Sequence, residues 1–71
     1  MVSNFPHLRD ELATHILART GRRLRNLDIQ VQAERITLRG QAASFHIKQL
    51  AQQGVRDVLP DIGLDNAIEV A

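Results

Sequence analysis

The chain has 71 residues, no cysteine, no tryptophan and no tyrosine, and a formal net charge of +1. That length fits one domain over 1–71 with a core burying about 60 % of the unfolded chain's surface, which leaves little room for a deep enzymatic cleft. Without Cys there is no disulfide framework, thiolate zinc site or cysteine nucleophile, while 44 % hydrophobic and 24 % charged content is the balance of a globular domain, not of a disordered tail.

Met1-Val2-Ser3-Asn4-Phe5-Pro6 has neither a basic n-region nor an apolar h-region, so it does not read as a secretory signal. No stretch approaches the roughly 20 apolar residues of a spanning helix. The expected location is the cytoplasm, or the cell envelope if the chain is excised from a longer protein. A first helix is predicted over 6–20. Ser3 or Asn4 can cap it, and Pro6 suits its first turn. Asp10 and Glu11 early and Arg19 late match the helix dipole. Leu8, Leu12 and Ile16 form an apolar stripe flanked by Phe5, Ala13 and Leu17, and Gly21 can terminate the helix in the left-handed conformation.

Arg22 to Asn26 reads as a polar connector. The period then changes to two. Leu27, Ile29, Val31 and Ala33 alternate with polar residues, and Ile36, Leu38, Gly40 and Ala42 do the same. The gap at Glu34-Arg35 can only be a hairpin. Neither residue favours positive φ, so the turn is expected to be wider than two residues or mildly strained. Ser44 is the predicted cap of a second helix with an apolar face of Ile47, Leu50, Ala51, Gly54, Val55 and Val58. Gly54 on that face costs about 1 kcal/mol relative to Ala, and a close approach of helix to sheet is the expected compensation. Leu59 to Gly63 breaks the helix, and Leu64, Asn66, Ile68 and Val70 alternate as a third strand.

The fold class is therefore α+β, an α-β-β-α-β chain. The second helix should cross over so that strand 3 lies parallel to strand 2. The simplest arrangement is a three-stranded mixed sheet in the order 2-1-3, with both helices on the apolar face and the polar face open to water.

The stretch from Ile29 to Gly40, with Leu38-Arg39-Gly40 closing a strand, Ser44 opening a helix that continues through Lys48-Gln49-Leu50-Ala51, and Leu64-Asp65-Asn66-Ala67-Ile68-Glu69-Val70 as the last strand, resembles the BON domain (bacterial osmotic-shock and nodulation domain). The resemblance covers about 12–71. It implies a non-catalytic binding module of the phospholipid-binding or envelope-assembly kind, with no catalytic residues and no cofactor.

Arg19, Arg22, Arg23 and Arg25 place four guanidinium groups within seven residues with no acidic neighbour. Such forks fit phosphate oxygens bidentately, so these four are the candidate anion-binding residues. The competing reading is a solvated basic surface that complements the helix C-terminus. No aromatic residue interleaves them, which disfavours nucleic acid. The expected partner is an anionic lipid or another protein. Residues 1–39 carry about +3 and residues 40–71 about −2, which raises self-association through opposite patches. An exposed sheet edge, with strands 2 and 3 as the edges, is the alternative route to a protein partner or a homo-oligomer. His7 and His15 lie about 12 Å apart along a helix, too far to share a metal ion. Ser44 reads as a helix cap, and nothing places His or Asp beside it as a hydrolytic site would need. Asn66 should face the apolar side, its amide bound to main-chain groups near Pro60 or the helix ends.

Overall fold

The computed structural model describes residues 4–70, with side chains from His7 onward. The expected caps Ser3 and Asn4, and the Phe5 side of the apolar stripe, lie outside the described side chains. Helix α1 spans Asn4–Thr20, a short 3₁₀ turn Gly21–Arg23 follows, and then come β1 (Leu24–Gln32), β2 (Arg35–Ala42), α2 (Phe45–Val58) and β3 (Gly63–Val70).

In α1, Leu12 and Ile16 are fully buried, Leu8 and Ala13 partly so, and Leu17 is exposed. The fourth member of the inward row is Thr20, which is buried, and its Oγ1 donates to the Ile16 carbonyl oxygen at 2.8 Å. That local bond is what lets a hydroxyl enter the core without cost to the row. Because α1 starts at Asn4, Asp10 and Glu11 stand beyond its first turn, where the dipole has largely faded. Gly21 adopts φ 61° and ends the helix as expected.

The sheet is mixed, as expected. β1 and β2 are antiparallel, and β2 and β3 are parallel. Its order is β1-β2-β3, not 2-1-3, so β2 is the central strand. The physical reason is that α2 leaves the end of β2 and returns a strand beside it, on the side that the β1 hairpin leaves free. A 2-1-3 sheet would carry that connection past β1. Ile36 and Leu38 of β2 are fully buried accordingly, whereas Val31 of β1 is only partly covered. The outer strands are therefore β1 and β3. The hairpin loop is Ala33-Glu34, closed by the pair Gln32 and Arg35, one residue earlier than the expected gap. Neither loop residue has positive φ. Arg35 stands in β2, paired with Gln32 and Gly63, and its side chain grips Asp65 on β3 at 2.8 and 2.6 Å.

β1 also begins three residues before the periodicity suggests, so Leu24, Arg25 and Asn26 belong to the strand and not to a connector. A bulge hides this. Arg25 pairs with Gln41 and Asp28 with Arg39, which leaves Asn26 and Leu27 opposite the single residue Gly40. Asn26 takes φ 55°, the one positive value at a non-glycine among the described residues. Gly40 sits against this bulge at φ 154°, and a Cβ there would lie 2.9 Å from the Arg25 carbonyl oxygen. The extra residue shifts the alternation, so that Leu24 and Ile29 both turn inward although they are five apart.

Ser44 caps α2 as expected, its Oγ accepting the Ile47 N–H at 3.3 Å. Ile47, Ala51, Gly54 and Val55 face inward. The close approach at Gly54 is made by α1 and not by the sheet: a Cβ there would lie 2.8 Å from Ile16 Cα. One core cluster joins Leu12 and Ile16 of α1, Ile47, Ala51 and Val55 of α2, and Ile29, Ile36, Leu38 and Ile68 of the sheet. The loop back to β3 is held by Arg56, which donates to the Pro60 and Ile62 carbonyl oxygens at 3.1 and 2.6 Å.

Candidate anion-binding site

Three of the four arginines converge. Gly21 turns the chain out of α1, Arg22 and Arg23 follow on the 3₁₀ turn, and Arg25 is the second residue of β1. Leu24 between them is buried opposite Ala42, so its neighbours point outward. The Ala43 N–H donates to the Arg23 carbonyl oxygen at 3.0 Å, fixing this corner to the end of β2. The result is a shallow recess of ≈ 350 Å³ lined by Arg22, Arg23, Arg25, Gln41, Ala42 and Ala43.

None of these three arginines meets a carboxylate within 4 Å among the described residues. The nearest acidic positions in the sheet are Asp28, one pair further along the same face and set opposite Arg39, and Glu69, which pairs with Gln41 on the side opposite Arg25. Two strand spacings amount to about 10 Å, close to one Debye length in 0.1 M salt, so Glu69 subtracts little from the local positive potential.

Arg19 belongs elsewhere. Its Nε and Nη2 donate to the two oxygens of Asp57 at 2.7 and 2.9 Å, and its Nη1 reaches Gln53 Oε1 at 3.3 Å. This fork ties the last turn of α1 to the last turn of α2. The Arg19 hydrogen bonds hold the Asp57 carboxyl below its usual range against a smaller opposing effect of burial, and the charges of Arg19 and His15 add to the lowering. Sequence proximity thus grouped four arginines that the fold divides into three and one. Gln41 joins the three, and only the bulged register of β1 on β2 brings it there.

His15 lies beside the same ion pair, its Nδ1 3.9 Å from Asp57, while His7 and His46 are exposed. Among the described residues no three His, Asp or Glu side chains gather where they could share a metal ion, and no helix is long and apolar enough to cross a membrane. Asn66 does bind a helix main chain, though not near Pro60. Its Nδ2 donates to the Lys48 carbonyl oxygen at 2.9 Å, and its Oδ1 accepts the Ile68 N–H at 3.3 Å. A second recess, ≈ 380 Å³, opens beside it between Phe45, Lys48, Gln49, Gln52 and Gln53.

No family model, curated protein or solved structure matches this chain. The BON-like reading therefore stands on the residues that suggested it.

Proposed function

We propose that this chain is a non-catalytic binding module, BON-like in plan, that docks on phosphate-bearing anionic surfaces, with phospholipid headgroups as the preferred ligand. Arg22, Arg23 and Arg25 make the contact, and Arg19 supports the scaffold behind them. The observation that carries this reading is the gathering of three arginines, without a carboxylate partner among the described residues, on one open recess. Each presents a fork of N–H donors that matches two phosphate oxygens at once. An open corner suits a headgroup approaching from a flat surface better than a small metabolite, which needs enclosure.

The test is co-sedimentation with vesicles. Binding should be measurable on phosphatidylserine-containing vesicles, absent on pure phosphatidylcholine, and weakened by salt. Each basic residue near an anionic membrane contributes about 1 kcal/mol. The triple variant R22Q/R23Q/R25Q should therefore bind roughly 100-fold more weakly. Arg19→Gln should leave binding within a factor of two or three while lowering stability. Equal binding by the triple variant and the parent refutes the assignment.

A second reading is favoured by a separate observation: β3 is an outer strand that runs eight residues beside β2 without any irregularity. On that reading the sheet edge, not the arginine corner, meets a protein partner.

A further inference from the structure

We propose that the outer edge of β3 accepts an extended peptide strand in which basic and apolar residues alternate, and that the Asn66 side chain is the latch on that edge. This deepens the sheet-edge reading and rests on it.

The two outer strands are not equivalent. β1 is interrupted by the bulge at Asn26 and Leu27, which twists an edge away from pairing. β3 keeps an even register with β2 from Gly63 to Val70. Which of its main-chain groups face outward follows from two hydrogen bonds. Gly63 N–H turns to the β2 side, donating to the Glu34 carbonyl oxygen at 3.3 Å. Ile68 N–H does not, and donates to Asn66 Oδ1 instead. In a parallel ladder alternate residues address one neighbour, so Leu64, Asn66, Ile68 and Val70 present their N–H and C=O groups outward. Among the described residues the sheet has no fourth strand to take them.

Asn66 closes the middle of this edge on itself. Its carbonyl occupies Ile68 N–H, its amide holds Lys48 of α2, and Gln52 Oε1 lies 3.5 Å from the same nitrogen. An incoming strand must take Ile68 N–H from Asn66, and the freed side chain keeps its bond to α2. The exchange is one hydrogen bond for another at that position, with the remaining outward groups of β3 gained in addition.

The chemistry of the partner follows from both sides of the edge. The only charged residues on β3 are Asp65 and Glu69, both exposed on the open sheet face. Asp65 is already shared with Arg35, and Glu69 has no ion-pair partner among the described residues. Side chains lying over that face should be basic. Those on the other face meet the recess beside α2, whose rim carries Phe45, 60 % exposed. Val70, 46 % exposed, pairs with Ala42 just before α2 begins. Lys48 in the recess repels a basic side chain there, so the two faces together specify alternation.

The test is an NMR titration of the whole ¹⁵N-labelled chain with a synthetic octapeptide of alternating Lys and Val, and with its Glu–Val counterpart. The Lys–Val peptide should shift the amides of Leu64, Ile68 and Val70 together with the side-chain amide of Asn66. The Glu–Val peptide should leave them unmoved, and Glu69→Lys should reverse that preference. Asn66→Ala should bind the Lys–Val peptide about three- to tenfold more tightly, since one competing hydrogen bond is gone. Shifts confined to β1 amides overturn the choice of β3 while sparing the edge reading. No response from either outer strand at millimolar peptide overturns both. An Asn66 side-chain signal that stays fixed while Ile68 moves overturns the latch, and this readout needs no variant to fold.

Discussion

Gly54→Ala sets two known effects against each other, and the geometry decides between them. In an exposed helix interior the change adds about 1 kcal/mol of stability, because Ala is the better helix former and the unfolded chain loses freedom. Here the new methyl would lie 2.8 Å from Ile16 Cα, 2.9 Å from Ile16 N and 3.0 Å from Ile16 Cγ1. Carbon atoms pack best about 3.5–4.0 Å apart, so α1 and α2 must part by roughly 1 Å. Two of the three obstacles are backbone atoms, so no rotamer change relieves the clash. A gap of that size forfeits a quarter to a half of each dispersion contact along the seam, and overpacking of this kind costs about 1–3 kcal/mol. Leu12, Ile16, Ala51 and Val55 all sit on that seam and are fully buried, which places the cost in the upper part of the range. The net loss is then about 1–2 kcal/mol, or a fall in Tm of roughly 5–15 °C for a domain of this size. Far-UV circular dichroism is the suitable probe, since the chain has no Trp or Tyr. Gln49→Ala, on the exposed side of α2, is the control and should move by no more than about 0.5 kcal/mol. A Gly54→Ala protein that melts at or above the parent temperature would refute the close-approach argument.

Gly40→Ala should be more damaging still, about 2–4 kcal/mol. It adds a methyl 2.9 Å from the Arg25 carbonyl oxygen at a φ of 154° that L residues rarely adopt; wherever the variant remains folded, vesicle binding should fall as well, because the bulge aims Arg25. Acid should destabilise the fold through Asp57 and Asp65, whose carboxyls are held below the usual range first of all by the hydrogen bonds of Arg19 and Arg35, with burial opposing. A depressed folded value stabilises above the unfolded value of about 3.9 and is lost as pH falls through the folded one. The urea midpoint should therefore hold from pH 7 to about 5 and decline below that, and D57N/D65N should flatten the decline; a parent midpoint that rises with acid would contradict both ion pairs. Asn66→Leu should lower stability by about 1–3 kcal/mol, because the Lys48 carbonyl loses a donor, and should leave binding to anionic vesicles unchanged.

The order of elements was legible because each announces itself locally. The α1 stripe, the Ser44 cap and the inward face of α2 are all read from spacing within one element. Strand order is not local. The alternation in β1 and β2 looks alike, and nothing in either marks which strand will have neighbours on both sides. The bulge was hidden for a related reason: it places inward residues at 24 and 29, an odd interval that mimics a connector. Asn26, able to adopt positive φ, and Gly40, opposite it, were the available signals, and they have meaning only once the two strands are paired. At the arginine corner, adjacency in sequence grouped three residues that the fold keeps on one recess and could not separate Arg19, whose partner Asp57 is 38 residues away.

The charge pattern shows why that separation matters. The basic N-terminal half and acidic C-terminal half suggested opposite patches able to join two molecules. The fold spends that asymmetry inside one molecule. Arg19–Asp57 and Arg35–Asp65 each join a basic residue of the first half to an acidic residue of the second, and both are bidentate. With those pairs set aside, the first half is left at about +1 and the second near zero. Most of the remaining charges on the first half stand near opposites. Asp10 and Glu11 adjoin Arg9, and Asp28 is the cross-strand neighbour of Arg39. Arg22, Arg23 and Arg25 stand together without an ion-pair partner among the described residues. A total of +1 is thus compatible with a concentrated cationic corner, because the compensating charges are fixed elsewhere in the structure. Neutralising Asp57 frees Arg19 at the end of α1, still in the last turn before Gly21. If the corner works by local positive potential, as proposed, D57N should bind anionic vesicles slightly more tightly than the parent even as it loses stability. Weaker vesicle binding by folded D57N would mean that the corner depends on the α1–α2 ion pair for its shape, and that charge alone does not account for it.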